Sequence, residues 1–256
     1  MVSSFSFLSG IRIILTIAML GYASYKDVKT REVNDLIWII FGGLSLLFDG
    51  YEIVVGTLGW QSLGVAVGFS LAFSIFAGYL GFFGGADLLA FIVIALLNPT
   101  SPQIVFTPLA FPSVLFVLTV ISDSIVIGAS TALFVLVLNI GSSRSTKLFE
   151  GYPTADFGTK LLLLLTGRRK EFTMIRGPPF EYPLEKMNDD GSVSLHVRPD
   201  LSDDSTALET IKELQLSGRR RIWVSYSLPF LLVLCVGYIC AIVFGDFLLW
   251  LMSVIF

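Results

Sequence analysis

Charge is what this sequence has least of. Charged residues make up 14% of its 256 positions, whereas typical soluble domains carry roughly 25%. None occurs between Ile53 and Ala86, between Leu88 and Ser122, or between Ser124 and Ser143. Each stretch reaches or exceeds the ~20 residues needed to cross a hydrocarbon core. A soluble globular chain is thereby excluded, and a membrane protein expected. Histidine is almost absent: the single copy, His196, leaves little room for a histidine-based triad or a multi-histidine metal site. Cysteine is scarce too. Cys235 and Cys240 both sit in the last long apolar run and read as hydrophobic core thiols. A nucleotide-binding glycine loop, a zinc-type cysteine pair, an internal repeat and a low-complexity tract are all missing, so no cofactor or metal is implied.

The few basic residues are placed unevenly. Of seventeen Lys and Arg, sixteen fall between Lys26 and Arg31 or between Arg144 and Arg221, and only Arg12 lies elsewhere. Basic residues flanking spans stay cytoplasmic, so both segments are expected in the cytosol. The loop from Asp49 to Glu52 and the connection from Pro99 to Pro112 are expected outside. The segment from Arg144 to Arg221 mixes thirteen basic with twelve acidic residues, which does not suit a nucleic-acid surface. The first apolar run lacks a positive n-region, so it reads as a retained span with its N-terminus outside.

The hydrophobic runs predict an all-α membrane protein of about six spans. They cover residues 5–25, 34–50, 60–80, 87–97, 113–140 and 222–244, with an apolar tail at 247–256 too short to cross. Six spans put both termini outside. In domain terms, 1–140 holds five helices, 141–221 is a small mixed cytosolic insertion, and 222–256 holds the sixth helix and the tail. Within the insertion, Lys160 and five leucines followed by Arg168-Arg169-Lys170 predict a helix on the membrane surface, near anionic lipid. A turn at Asn188-Asp189-Asp190-Gly191 precedes a strand at 192–197, and 203–216 predicts a capped amphipathic helix. The fourth span is short: about 12 residues give ~18 Å, against a core ~30 Å thick. Its start then lies below the membrane surface, where a non-helical loop is tolerated if protein or a wet cavity surrounds it. The glycines of Gly81-Phe82-Phe83-Gly84-Gly85 suit such a loop.

With histidine and cysteine chemistry set aside, the candidates are carboxylates near the membrane. Asp27 lies in Ser24-Tyr25-Lys26-Asp27-Val28-Lys29-Thr30-Arg31-Glu32, at the expected cytosolic end of helix one, where the helix dipole disfavours an anion. Alone, it fits better a solvated loop acid paired with Lys26, Lys29 or Arg31. Glu32 and Asp35 are weaker candidates, because Asn34-Asp35 reads as the start of helix two. Asp87, in Gly84-Gly85-Ala86-Asp87, follows the glycine run at a helix N-terminus. Alone, it fits a capping acid, although an unneeded charge below the surface costs up to ~2.5–3.5 kcal/mol. The topology puts both acids at one face. Two carboxylates in unlike surroundings can share a proton; one then activates a water while the other polarises a carbonyl. Asp123 lies mid-span among Thr119, Ser122 and Ser124, where a local hydroxyl network is expected to hold it as a structural or secondary acid.

At these residues the chain resembles the archaeal preflagellin and prepilin peptidases, relatives of the bacterial type IV prepilin peptidases. The resemblance rests on the first loop (SYKDVKTREVND, then Leu36-Ile37-Trp38), on the GGAD loop, on the six-span plan and on the long segment before the last span. It implies an aspartyl endopeptidase with Asp27 and Asp87 as the catalytic pair and Gly84, Gly85 and Ala86 as the supporting loop. The implied partners are precursors of archaellum and type IV-like pilus subunits, cut after a short basic leader at the cytosolic face of the cell membrane. Ala86 departs from the family's second motif glycine, which puts the loop geometry, not the acid, in question. The bacterial relatives' N-terminal cysteine motif has no counterpart. The alternative function is a small ion- or proton-coupled transporter using Asp87 and Asp123. A scaffold acting through the insertion is a third.

Overall fold

The computed structural model describes residues 7–81, 83–102, 115–143, 148–149, 152, 155–188, 191–199 and 203–255. In chain order the elements begin with α1 (Phe7–Thr30), α2 (Leu36–Val55), α3 (Trp60–Tyr79), α4 (Gly85–Leu97) and α5 (Phe116–Ser143). Then come α6 (Phe157–Thr166), β1 (Gly167–Glu171), β2 (Glu181–Pro183), β3 (Glu185–Met187), β4 (Val193–Leu195), α7 (Asp204–Leu216) and β5 (Arg221–Tyr226). The chain closes with α8 (Phe230–Phe244) and α9 (Phe247–Ile255). Two compact units result, one from Met1–Gly128 with Pro229–Phe256, the other from Ala129–Leu228.

The first unit is helical because its apolar runs must satisfy their own backbone hydrogen bonds. α4 is its centre. A helix apolar on every face is one that gets buried, and Ala90, Phe91, Ile94, Ala95 and Leu97 are fully so. α4 packs against α1, α2, α3 and α8. The surrounding helices turn large apolar residues such as Ile14, Ile39, Leu47 and Ile75 outward, as a lipid-facing surface requires. Glycine permits the closest approaches. A Cβ at Gly78 would lie 2.8 Å from Leu88 on α4, and one at Gly237 on α8 would strike Ser124 on α5.

Four helices among the described residues are long and apolar enough to cross a membrane: Phe7–Thr30, Leu36–Val55, Trp60–Tyr79 and Phe116–Ser142. α8 and α9, bent by 65° at their break, make a fifth if taken as one span. The protein is therefore a mostly helical multi-pass membrane protein, with fewer crossing-length helices than the six expected, since α4 has only 13 residues. Several expected boundaries move. α1 runs on through Asp27 to Thr30. α2 continues to Val55, where left-handed Gly56 closes it, so Asp49 and Glu52 lie in a helix and not in a loop. Most of the expected outer connection from Pro99 to Pro112 falls outside the described residues.

The largest correction concerns 222–229. The last long helix begins at Phe230, not Ile222, because residues 221–226 form β5. Ile222, Trp223 and Val224 are all fully buried, and a short continuous apolar run reads alike as buried strand or helix. β5 is the middle strand of an antiparallel sheet of order β1-β5-β2. Arg168, Arg169 and Lys170 belong to β1 and not to the end of a surface helix. β3 and β4 form the expected hairpin, pairing Glu185 with Leu195 and Met187 with Val193; Asp189 and Asp190 of its turn lie outside the described residues. α7 starts after Asp203, whose side chain accepts from Ser205 N, as an N-cap acid does.

The core of the second unit gathers Leu163, Leu184, Tyr152 and Trp223, with Phe149 stacked on Trp223 at 5.2 Å. Glu185 is buried there. Its carboxylate accepts from Trp223 N (2.6 Å) and from Arg219 Nη1 (3.3 Å). Burial pushes the Glu185 carboxyl above its ordinary range, against those bonds.

Replacing Gly237 by Ala is expected to destabilise the first unit by about 1–3 kcal/mol, the usual range for overpacking. The measurement is the thermal midpoint in detergent. Adding Ser124→Gly should restore only part of the loss, because Ser124 N would still lie 2.9 Å from the new methyl. An unchanged midpoint in Gly237→Ala would show that α5 and α8 separate there without cost.

Candidate active site

Asp27 sits in the last full turn of α1, just before the chain leaves the helix through Arg31. Arg31 adopts a left-handed conformation (φ 59°), rare for a residue other than glycine, and its N–H closes on Asp27 O at 3.1 Å. This bend returns the Arg31 side chain toward the acid, so that Nη1 donates to Asp27 Oδ1 at 3.4 Å. The other carboxylate oxygen accepts from Leu231 N at 3.3 Å. Leu231 lies in the first turn of α8, so Asp27 meets the positive end of that helix dipole. Ser24 Oγ donates to Leu231 O at 2.9 Å and ties α1 to the same turn. The Asp27 side chain is 14% exposed. It is held inside the fold, by bonds long enough to be weak.

Asp87 lies in the first turn of α4, and its Oδ2 accepts from Gly84 N at 3.0 Å. This is half of a capping box; Gly84 has no side chain to supply the other half. Gly81 is left-handed (φ 66°), as the expected loop requires, whereas Phe82 lies outside the described residues. Phe83 anchors the loop by packing its ring on Phe230 (4.6 Å) and Phe91 (5.4 Å). Ser74 Oγ donates to Leu88 O at 3.1 Å and fixes the first turn from α3. Ala86 is inside α4 and not at a positive-φ position, so alanine in place of the motif glycine carries no backbone penalty. The charges of Asp27 and Arg31 both reach Asp87. Among the described residues, neither carboxylate is hydrogen-bonded to the other.

The first turn of α8 therefore touches both acids' surroundings, Leu231 at Asp27 and Phe230 at the loop before Asp87. The two are half-buried carboxylates on different helices, and Arg31 acts electrostatically on both.

Two family profiles match the chain. The type IV leader peptidase family covers residues 14–132, and the archaeal peptidase A24 C-terminus, type II, covers residues 159–247. The chain belongs to the type IV leader peptidase family. That family consists of aspartic-type peptidases, so this protein is an aspartic-type peptidase of the prepilin peptidase class. The first match contains both Asp27 and Asp87, and the second contains the sheet and α8. None of the curated proteins matches the chain significantly.

The peptidase also holds a buried ionic cluster that sequence reading missed. Arg12, 5% exposed, donates through Nη2 to Asp49 Oδ1 (2.8 Å) and Glu52 Oε2 (2.7 Å) on α2. Its Nη1 donates to Leu97 O (3.1 Å) and Leu96 O (3.3 Å) at the C-terminus of α4. Nearby, Asn98 Nδ2 donates to Thr16 Oγ1 (2.9 Å), and Tyr238 OH donates to Asn98 Oδ1 (3.2 Å). These bonds lock α1, α2, α4 and α8 together at the ends opposite the two acids. A usable signal was present: a lone arginine in an apolar helix, and two acids three apart on the next one, which share a helix face.

The structure does not bring Asp123 to the pair. It is 1% exposed, and its Oδ1 accepts from Phe247 N at 3.0 Å. The hydroxyls expected to hold it bond elsewhere, Ser122 to Thr119 O and Ser124 to Val120 O. Its charged neighbour is Asp246, another acid that sequence reading missed. Asp246 Oδ1 accepts from Leu249 N at 2.9 Å, so both acids sit at the start of α9. His196 lies in the second unit, 3.1 Å from Ser194 Oγ. Among the described residues no group of three or more His, Cys, Asp or Glu could hold a metal ion.

Arg12→Met should destabilise the peptidase by about 3–5 kcal/mol, the cost of leaving one side of a buried ion pair uncompensated. The triple variant with Asp49→Leu and Glu52→Gln should regain most of that, again read as the thermal midpoint in detergent. Equal losses in the single and triple variants would show that the charges are not what holds these helices.

Proposed function

We propose that this peptidase removes short basic leaders from archaellin-like and type IV pilin-like precursors, using Asp27 and Asp87 as its catalytic pair. The observation that carries the proposal is the meeting of these two carboxylates' surroundings at the first turn of α8, in a unit otherwise built from apolar helices. One carboxylate, ionised, takes a proton from a water molecule, and the resulting hydroxide attacks the scissile carbonyl carbon. The other, protonated, donates to the carbonyl oxygen as it becomes tetrahedral. Collapse of that intermediate breaks the C–N bond, with the first acid returning its proton to the departing amine. The pair titrates as a unit, so either residue can begin as the ionised partner. The weak bonds at Asp27 suit an acid that must exchange partners during a cycle.

The proposal places the acids at the cytosolic face, with both termini outside and six spans. In that count α4 and α8 are the fourth and sixth, and α9 lies in the outer interface. The uneven placement of Lys and Arg supports this orientation. Residues 1–140 then form the membrane part with both acids, 141–221 the cytosolic insertion, and 222–256 the returning segment.

The test is leader removal from a tagged preflagellin or prepilin, followed by gel shift in membranes. Asp27→Asn and Asp87→Asn should each slow cleavage by at least about 100-fold, the lower end of what positioned acid–base groups contribute. Asp123→Asn should keep it within a few-fold. Undiminished cleavage by a folded Asp27→Asn protein would remove Asp27 from the mechanism. No cleavage by the parent protein, across several precursors, would refute the substrate class.

A further inference from the structure

The second unit presents an apolar surface that its own core does not use. In α6, Leu163 is fully buried and belongs to the core cluster of Trp223 and Leu184. The same helix exposes Phe157 (81%), Leu161 (42%) and Leu162 (44%). Leaving such side chains in water forgoes roughly 1.5–3 kcal/mol apiece.

The depth of α6 is set by one side chain. Asn139, 2% exposed, donates through Nδ2 to Leu164 O (2.9 Å) and to Gly167 O (2.7 Å). Those carbonyls belong to the C-terminal end of α6 and the start of β1. Asn139 lies about one turn before the end of α5, inside the segment Phe116–Ser142 that is long and apolar enough to cross a membrane. The end of α6 is thus pinned level with the last turn of a span, not out beyond it. The neighbouring part of α5, in the same unit, turns Leu133, Phe134, Val137 and Ile140 outward, each more than half exposed. That is a surface suited to lipid, at the end of α5 to which α6 is tied.

Two of the three basic residues that follow α6 are engaged within the unit. Arg169 Nη1 donates to Leu148 O at 3.1 Å, and Lys170 Nζ pairs with Glu181 Oε1 at 2.5 Å. Both are half-buried and turned into the unit.

We propose that α6 lies along the membrane interface, with Phe157, Leu161 and Leu162 among the acyl chains of the leaflet in which α5 ends, and that this contact is apolar and independent of lipid charge. The second unit is thereby seated on the bilayer by a helix and not merely tethered to it by its two chain connections. The inference does not rest on the catalytic assignment of Asp27 and Asp87.

The test uses the full chain in lipid nanodiscs, with Cys235 and Cys240 changed to Ala. Single nitroxide-labelled cysteines replace Phe157, Leu161 or Leu162, and a fourth replaces Glu209 on the exposed face of α7. These side chains point away from the core, and variants are compared only where the thermal midpoint equals that of the unlabelled parent. The expected result is an oxygen-to-nickel-chelate accessibility ratio several-fold higher at all three α6 positions than at Glu209. The ratio should be similar along α6, and the same in phosphatidylcholine discs as in discs with added phosphatidylglycerol. Water-like ratios at Leu161 and Leu162 would overturn the proposal. So would low accessibility to both reagents, which would mean that protein covers the face. A steep gradient from Phe157 to Leu162 would refute the in-plane placement, and a contact seen only with phosphatidylglycerol would refute its apolar nature.

Discussion

Charge inside an apolar helix bundle has to find a helix end of opposite sign, and much of this structure follows from that constraint. Asp27 meets the N-terminus of α8, Asp87 the N-terminus of its own α4, and Asp123 with Asp246 the N-terminus of α9. Arg12 meets the C-terminal carbonyls of α4. Helix termini carry unpaired backbone groups and about half a unit charge, so each contact satisfies both partners at once. Asp49 and Glu52 are the exception, since they lie near the negative end of α2. Arg12 compensates them directly.

This way of holding charge explains how the bundle presents two acids without fixing them rigidly. α4 is largely buried and gripped at both ends, by Arg12 at one and by the Phe83 cluster at the other. Its N-terminal acid therefore has a stable address. Asp27 is held more loosely, by two bonds of 3.3 and 3.4 Å, one from a backbone amide and one from an arginine in a left-handed bend. The shared boundary of the two is the first turn of α8, a segment more than two hundred positions from Asp27 in the chain. A returning helix thus contacts both Asp27 of the first helix and the loop before Asp87 of the fourth.

The sequence was informative where physics acts locally. Long apolar runs predicted helices, and α1, α2, α3 and α5 lie where those runs are, with ends shifted by a few residues. Asp203 capping α7 and the β3–β4 hairpin were legible for the same reason, since caps and turns are set by neighbours in the chain. The motif around Asp27 and the GGAD loop led to the two acids and to the family. Legibility failed where an apolar run had two solutions. Residues 222–226 read as helix but form the central strand β5, because burial on both faces erases the alternation that marks a strand. It failed again at Asp49 and Glu52, which looked like loop acids until Arg12 was found to reach them.

By itself, then, the sequence determined that this is a multi-pass membrane protein and which family it belongs to. These follow from composition, run length and short motifs, none of which needs a partner distant in the chain. Only the tertiary structure decided what surrounds each charge. It set Leu231 and Arg31 on Asp27, separated Asp123 from the pair by giving it to α9, and made Arg12 the link between the far ends of α1, α2 and α4. The physical reason is that a buried charge is stabilised by whichever dipole or counter-charge packing brings within about 3 Å, and packing joins residues that the chain keeps far apart.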